Sequence, residues 1–112
     1  MKPLPSLKEK KRYVVIQIIA DKEFTFKEIE EVFKTALGDF LGTLGLSKAV
    51  IMILKEKFNP DTQSIIIKVN NKYVNELKSA LILIKKIKTT PVVIKSLAVS
   101  GTLKKASTYL KL

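Results

Sequence analysis

Catalysis by side chains needs groups that exchange protons or bonds near neutral pH, and this chain of 112 residues has neither cysteine nor histidine. Thiolate nucleophiles, disulfide frameworks, imidazole acid–base chemistry and the usual zinc ligands are therefore closed to it. Carboxylates remain, and Glu28, Glu30 and Glu31 stand close together. They fall in the first turn of an expected helix, where negative charge favours the dipole, so a structural role outweighs a metal or acid–base site. No two-carboxylate site stands out elsewhere. The expectation is no catalytic residue, and no metal or cofactor bound by the protein itself.

The groups that could do chemistry of another kind are cations. Lys and Arg number 21 against 10 Asp and Glu, a formal charge of +11. Such a balance attracts polyanions. Residues 1–12 hold five basic groups against Glu9, and residues 64–112 hold ten lysines against Glu76 alone. The middle, 13–63, has six basic and eight acidic groups. Lys-rich surfaces also arise through heat tolerance, but there Lys and Glu rise together, and here they do not. The expected RNA contacts are Lys8, Lys10, Lys11 and Arg12, and the turn Ser100-Gly101-Thr102 leading into Lys104 and Lys105. Free amides at a helix start, a glycine permitting close approach and two lysines suit a phosphate. A plain helix cap accounts for the same Ser and Thr equally well. Lys78 and Lys85 share a helical face and read best as solvated.

These cations need elements to position them. Pro3, Pro5 and the basic cluster make residues 1–12 an extended arm, with a single domain over 13–112. The β-branched run 13–19 (YVVIQII) predicts a strand. Thr25 and Glu28 form a capping box, with Phe24 and Ile29 placed as its hydrophobic staple. From Ile29 to Leu44 apolar residues recur at helical spacing, and Gly45 is expected to supply the left-handed cap. Residues 49–55 and 63–69 predict an antiparallel hairpin across Phe58–Thr62. Asn70 or Asn71 caps a second helix running through Ile84 and Ile87 until Pro91 stops it. Residues 92–99 form a fourth strand, and Leu103 to Leu110 a short terminal helix.

The order β-α-β-β-α-β matches the ferredoxin-like, RRM-like arrangement: an α+β fold with two helices on one face of a four-stranded antiparallel sheet. With Val14, Ile16 and Ile18 toward the helices, the other face presents Tyr13, Val15 and Gln17, then Ser64, Ile66 and Lys68, then Val93, Lys95 and Leu97. RRM domains stack bases on aromatics at the centre of this face, and here those positions are aliphatic. An apolar face suggests a protein interface, formed by Val15, Gln17, Ile66, Lys68, Val93 and Leu97, or a surface that the terminal helix covers. The protein partner is the favoured reading. No apolar stretch reaches membrane-spanning length and no signal peptide is seen, so a cytoplasmic location is expected.

Lys11-Arg12-Tyr13, the run from Leu44 to Ala49, Thr62-Gln63, Tyr73-Val74-Asn75-Glu76-Leu77 through Ala80-Leu81, and Val99-Ser100-Gly101-Thr102 occur in an order that resembles the archaeal and eukaryotic Pop family of ribonuclease P protein component 2. The likeness runs from about Lys11 to Ala106. It implies an RRM-like, non-catalytic subunit of the ribonuclease P ribonucleoprotein, which matures the 5′ end of pre-tRNA. It further implies partnership with the ribonuclease P RNA, with the barrel-shaped ribonuclease P protein component 3 and with other ribonuclease P proteins; pre-tRNA is met through the holoenzyme, and self-association as a homodimer is open. In that family magnesium serves the RNA, which performs the hydrolysis.

Two rivals share the fold. A generic RNA- or ribosome-binding module explains the charge but needs no obligate protein partner. A small-molecule regulatory domain needs a Gly-rich ligand loop that is missing here, and leaves +11 unexplained.

Overall fold

Thr25 shows how local chemistry starts the fold. Its Oγ1 accepts the Glu28 N–H at 3.3 Å, while its own N–H donates to the Glu28 Oε1 at 3.0 Å, completing the capping box. Phe24 and Ile29 are both buried in the cluster beneath. The structure is a computed structural model that describes residues 10–111; Lys8 and the rest of the arm up to residue 9 lie outside the described residues.

The elements are β1 (Lys11–Ile19), α1 (Phe26–Ala49), β2 (Met52–Asn59), β3 (Ser64–Asn70), a 3-10 turn at Asn71–Tyr73, α2 (Val74–Ile82), the short strands β4 (Lys86–Ile87) and β5 (Thr90–Pro91), β6 (Val93–Ser100), α3 (Leu103–Ser107) and a last 3-10 turn, Thr108–Lys111. The main sheet has the order β2-β3-β1-β6, and its strand pairs are antiparallel. This is the ferredoxin-like arrangement the sequence predicts. Lys11 and Arg12, read as the end of the arm, already belong to β1: the ladder with β3 runs from Lys11↔Asn70 to Gln17↔Ser64.

Three boundaries differ from expectation. Gly45 is not the cap of α1. The break comes at Gly42, whose φ of 71° and ψ of 176° suit only glycine, and helical backbone then resumes as far as Ala49. Val50, with φ 49°, takes the left-handed cap, its N–H donating to the Leu46 carbonyl at 3.2 Å. Gly45 serves closeness instead, since a Cβ there would come within 2.9 Å of the Leu41 Cβ. Ala49 is thereby a buried helical residue, and β2 begins three residues later than 49. The second difference is α2, which stops at Ile82. Ile84 and Ile87 are buried as predicted, but from an irregular stretch and a small hairpin. Short apolar runs fit either geometry, and burial decides between them. Third, Asn70 caps the 3-10 turn rather than α2 itself, accepting the Lys72 N–H at 3.0 Å.

The main core lies between sheet and helices: Val14, Ile16, Ile18, Ile65, Ile67 and Val69 from the strands meet Ile29, Phe33 and Leu37 of α1 and Leu77, Ala80 and Leu81 of α2. On the second face the structure follows the alternative sequence reading, a surface that the terminal helix covers, at the two central positions. Val15 and Ile66 are 0% exposed, buried with Ala106 of α3 and flanked by Tyr13, Leu54, Leu97, Leu103 and Leu110. A partner cannot reach them while α3 is seated. Gln17 is half-buried, with Nε2 donating to the Thr62 carbonyl at 3.1 Å. Of the six proposed interface residues, Val93 is well exposed, and Lys68 is half-buried opposite Tyr13.

A bulge in β6 helps to build this second layer. Val15 pairs with Ala98 but Ile16 pairs with Ser96, so Leu97 is the extra residue. Leu97 and Ala98 both line the second cluster, and strict alternation is lost beyond them. The shift sets Ser100 opposite Tyr13 and delivers α3 onto that face. The tail is then fastened: the Leu110 carbonyl accepts from Asn59 Nδ2 at 3.0 Å and from Thr62 Oγ1 at 2.8 Å.

Candidate nucleic-acid interface

β1 and β6 are antiparallel and paired at Tyr13↔Ser100, so the start of one strand lies beside the end of the other. Two basic segments some ninety positions apart in sequence therefore share one end of the sheet. The two segments come close: a Cβ added at Gly101 would stand 3.7 Å from Arg12 Nη1. Arg12 Nη1 also donates to the Lys11 carbonyl at 3.2 Å, which holds the side chain back along its own strand.

The β1–β3 ladder adds more cations. Lys11 is opposite Asn70 and Tyr13 is opposite Lys68. The Lys10 carbonyl accepts the Asn71 N–H at 2.8 Å, which sets Lys72 close by. Asn70, wholly buried, ties in α1 through Nδ2 to the Lys48 carbonyl at 3.3 Å. Lys10, Lys48, Lys72, Lys104 and Lys105 are exposed, and Lys11, Arg12 and Lys68 half-buried. Among the described residues none of these eight forms an ion pair with a carboxylate. Uncompensated cations gathered on one end are what a polyphosphate requires.

The amides of the Ser100–Thr102 turn contribute less than the sequence suggests. The Thr102 N–H donates to Ser100 Oγ at 3.2 Å, and Thr102 Oγ1 accepts the Lys105 N–H at 3.3 Å. Ser100 is buried with its hydroxyl taken up inside the turn, and the Thr102 hydroxyl caps α3. What faces solvent is Gly101, Thr102, Lys104 and Lys105. Lys48 and Lys72 were missed in the sequence, and Lys68 was assigned to a protein interface. Their signal was the topology itself: once β1 and β3 pair antiparallel, Lys68 falls opposite Tyr13 and Lys72 beside Lys10, while Lys48 is brought in by the Asn70 bond to its carbonyl.

The remaining surface has two features. On the helical side, Phe40, Leu44, Ile82 and Leu83 are exposed, and a cleft of about 320 Å³ is lined by Ala36, Asp39, Phe40, Ala80, Leu83 and Ile84. At the start of α1, Glu28 Oε2 meets Lys88 Nζ at 2.9 Å. Hydrogen bonding from the Thr25 backbone N–H, then from Lys88, holds the Glu28 carboxyl down at about 2, and the same pairing raises Lys88. Among the described residues no group of three or more carboxylates could hold a metal ion, and no helix is long and apolar enough to cross a membrane.

A ferredoxin-like sheet with one face closed by its own tail and one end crowded with cations defines a class: an RRM-like protein whose central sheet face is covered and whose unpaired cations gather at one end of the strands. Comparison then gives the family. The chain belongs to the Rpp14/Pop5 family, which it matches across residues 12–111, a family of ribonuclease P and RNase MRP protein subunits. It is 34% identical to ribonuclease P protein component 2 of Pyrococcus horikoshii over 101 residues, covering 90% of this chain and 82% of that one. It is 35% identical to the protein of the same name from Methanocaldococcus jannaschii, covering 91% of this chain and 73% of the relative. The ribonuclease P/MRP protein subunit POP5 of Schizosaccharomyces pombe is 29% identical over 89 residues, 80% of this chain and 64% of that one. The fold is also similar to a chain in a cryo-EM structure of yeast ribonuclease MRP, with a TM-score of 0.63, 14% identity, and coverage of 93% of this chain and 88% of that one. The family resembled in the residue order is the family found. Its role as a protein subunit, not an enzyme by itself, agrees with the sequence reading.

Proposed function

We propose that this chain is a non-catalytic subunit of ribonuclease P that grips the catalytic RNA through the basic end of its sheet. The carrying observation is the pairing of Tyr13 with Ser100, which sets Arg12 near Gly101 and so brings the two basic segments, with Lys10, Lys11, Lys104 and Lys105, to one end of the sheet. Lys48, Lys68 and Lys72 extend it. Its work is to neutralise phosphates where RNA segments crowd together, while the RNA, with magnesium, cleaves the 5′ leader from pre-tRNA. The proposal assigns the chain no cofactor of its own and a cytoplasmic location. The contacts are to phosphate, so they fix position and not sequence.

The protein partner, of the ribonuclease P protein component 3 kind, docks on the helical side. The exposed Phe40, Leu44, Ile82 and Leu83 around the α1–α2 cleft support this reading, because the sheet face first considered is filled by α3. A homodimer is not required by it.

Reconstitution tests both parts. Pre-tRNA cleavage by the cognate RNA at limiting magnesium should rise on adding this chain with its protein partners, and fall back with K104A/K105A. That variant should lower the slope of log affinity against log salt by roughly 0.7–0.9 per lost phosphate contact. L83E should abolish co-purification with the partner while leaving the salt slope alone. A chain that leaves cleavage unchanged, or cleaves pre-tRNA without RNA, would overturn the reading.

A further inference from the structure

We propose that the β4–β5 hairpin is a second phosphate-binding patch, so that the subunit bridges two separate segments of RNA backbone; this rests on the RNA-binding reading above. The sequence spreads Lys85, Lys86 and Lys88 along an expected helix. In the structure α2 ends at Ile82, and the three lysines gather instead on a hairpin whose strands pair Lys86↔Pro91 and Ile87↔Thr90. All three are exposed, and so is Thr89 at the tip.

The hairpin is held firmly from below. Ile87 is wholly buried, the Val92 N–H donates to the Lys85 carbonyl at 2.9 Å, and Lys88 is pinned to Glu28. Glu28 offsets one positive charge, Glu31 also acts on Lys88, and Lys86 lines a cleft with Glu31 and Asp39, so the charge left over for a phosphate is that of Lys85 and Lys86 at the outer side of the hairpin. Among the described residues, Lys85 and Lys86 have no ion-pair partner. A rigid tip bearing free lysines loses little entropy on meeting a phosphate, and an ammonium suits phosphate as a point charge. Apolar or aromatic anchors, which a protein hot spot uses, are absent from Lys85, Lys86, Lys88 and Thr89.

Position makes this a separate site. The hairpin runs through Val92 into Val93, opposite Ile19 at the finish of β1, whereas Arg12 and Gly101 mark the other end. The nine residues of β1 separate the two by about 26 Å at a rise of roughly 3.3 Å each. That exceeds a screening length of about 8–10 Å at ordinary salt, so each patch attracts its own phosphates.

Three full-length variants test the idea with the cognate ribonuclease P RNA as probe: K85A/K86A, K104A/K105A and the fourfold combination. Each double variant should lower the salt slope by roughly 1.4–1.8, and the fourfold variant by their sum. Hydroxyl-radical footprinting should show each double variant losing protection of a different RNA segment. If K85A/K86A keeps slope and footprint while K104A/K105A loses them, the second patch is refuted and the main reading stands. If neither variant changes anything, the RNA-binding reading falls too. If K85A/K86A keeps its RNA contacts but loses a protein partner, the hairpin takes an acidic protein surface, and the proposal is overturned.

Discussion

Ile66 sits at the centre of the sheet face that RRM domains leave open, and truncating it measures how firmly this protein has closed that face. Ile66→Ala removes three carbons from a side chain with no solvent exposure, held between Val15 and Ala106. At about 0.8 kcal/mol per buried methylene the transfer loss is near 2.4 kcal/mol. A residual cavity adds to that, because core Ile→Ala changes span roughly 2–5 kcal/mol. The lid above is a five-residue helix and one turn, and it can settle partly into the space, so about 3 kcal/mol is expected. For a domain of this size that lowers Tm by roughly 10–20 °C. Urea unfolding followed by circular dichroism gives the free energy directly, provided the slope m is unchanged. Val93→Ala, at a position 61% exposed, supplies the control and should stay within about 0.5 kcal/mol. A double-mutant cycle with Leu103→Ala should show coupling of about 0.5–3 kcal/mol, since both residues lie in the second cluster. An Ile66→Ala cost below about 1 kcal/mol, with no coupling to Leu103, would mean that α3 does not cover the sheet in solution.

Other perturbations probe the devices that hold the fold. Gly42→Ala should destabilise by about 1–3 kcal/mol although a Cβ there meets nothing within 4 Å, because the backbone at φ 71° and ψ 176° is closed to alanine; a neutral result in urea unfolding would show α1 to be unbroken. Removing the ties to the Leu110 carbonyl with N59A/T62V should speed amide exchange of Ala106 at least several-fold without changing core strands; equal exchange rates would show the tail to be held by its apolar contacts alone. Glu28 predicts a pH dependence. Its carboxyl titrates near 2 when folded and near 4.5 in the open chain, so its contribution is complete above about pH 5 and drains away as pH falls toward 2, where the unfolded state takes up the proton first. E28Q keeps a capping side chain but should flatten the fall of Tm across that window, and an unaltered slope would remove Glu28 from the acid response.

Much of the fold was written in local pattern. Val14, Ile16 and Ile18 alternate with Val15 and Gln17 because side chains on a strand point to opposite faces, and Thr25 with Glu28 announces a helix start through chemistry confined to four residues. The family likeness was legible for a related reason, since the matched runs lie at strand ends and helix starts, where residue type is tied to position. The ends of α1 and α2 were not legible. The sequence reading made Gly45 the cap, and only the backbone at Gly42, the close approach of Leu41 to Gly45 and the burial of Ala49 show where α1 breaks and ends. Ile84 and Ile87 satisfied a helical spacing while burying themselves from an irregular stretch and from a short strand.

By itself, then, the amino-acid sequence determined the order of the main elements, the inward face of β1, the surplus of lysine and the lack of groups for side-chain catalysis. Only tertiary structure decided that Val15 and Ile66 lie under α3, that Arg12 comes near Gly101, and that three lysines collect on a hairpin. The division has one physical cause. Burial patterns and caps arise between residues a few positions apart, whereas register, a single bulge at Leu97 and the docking of a tail are settled by contacts between segments distant in the chain, where many arrangements satisfy the same local preferences.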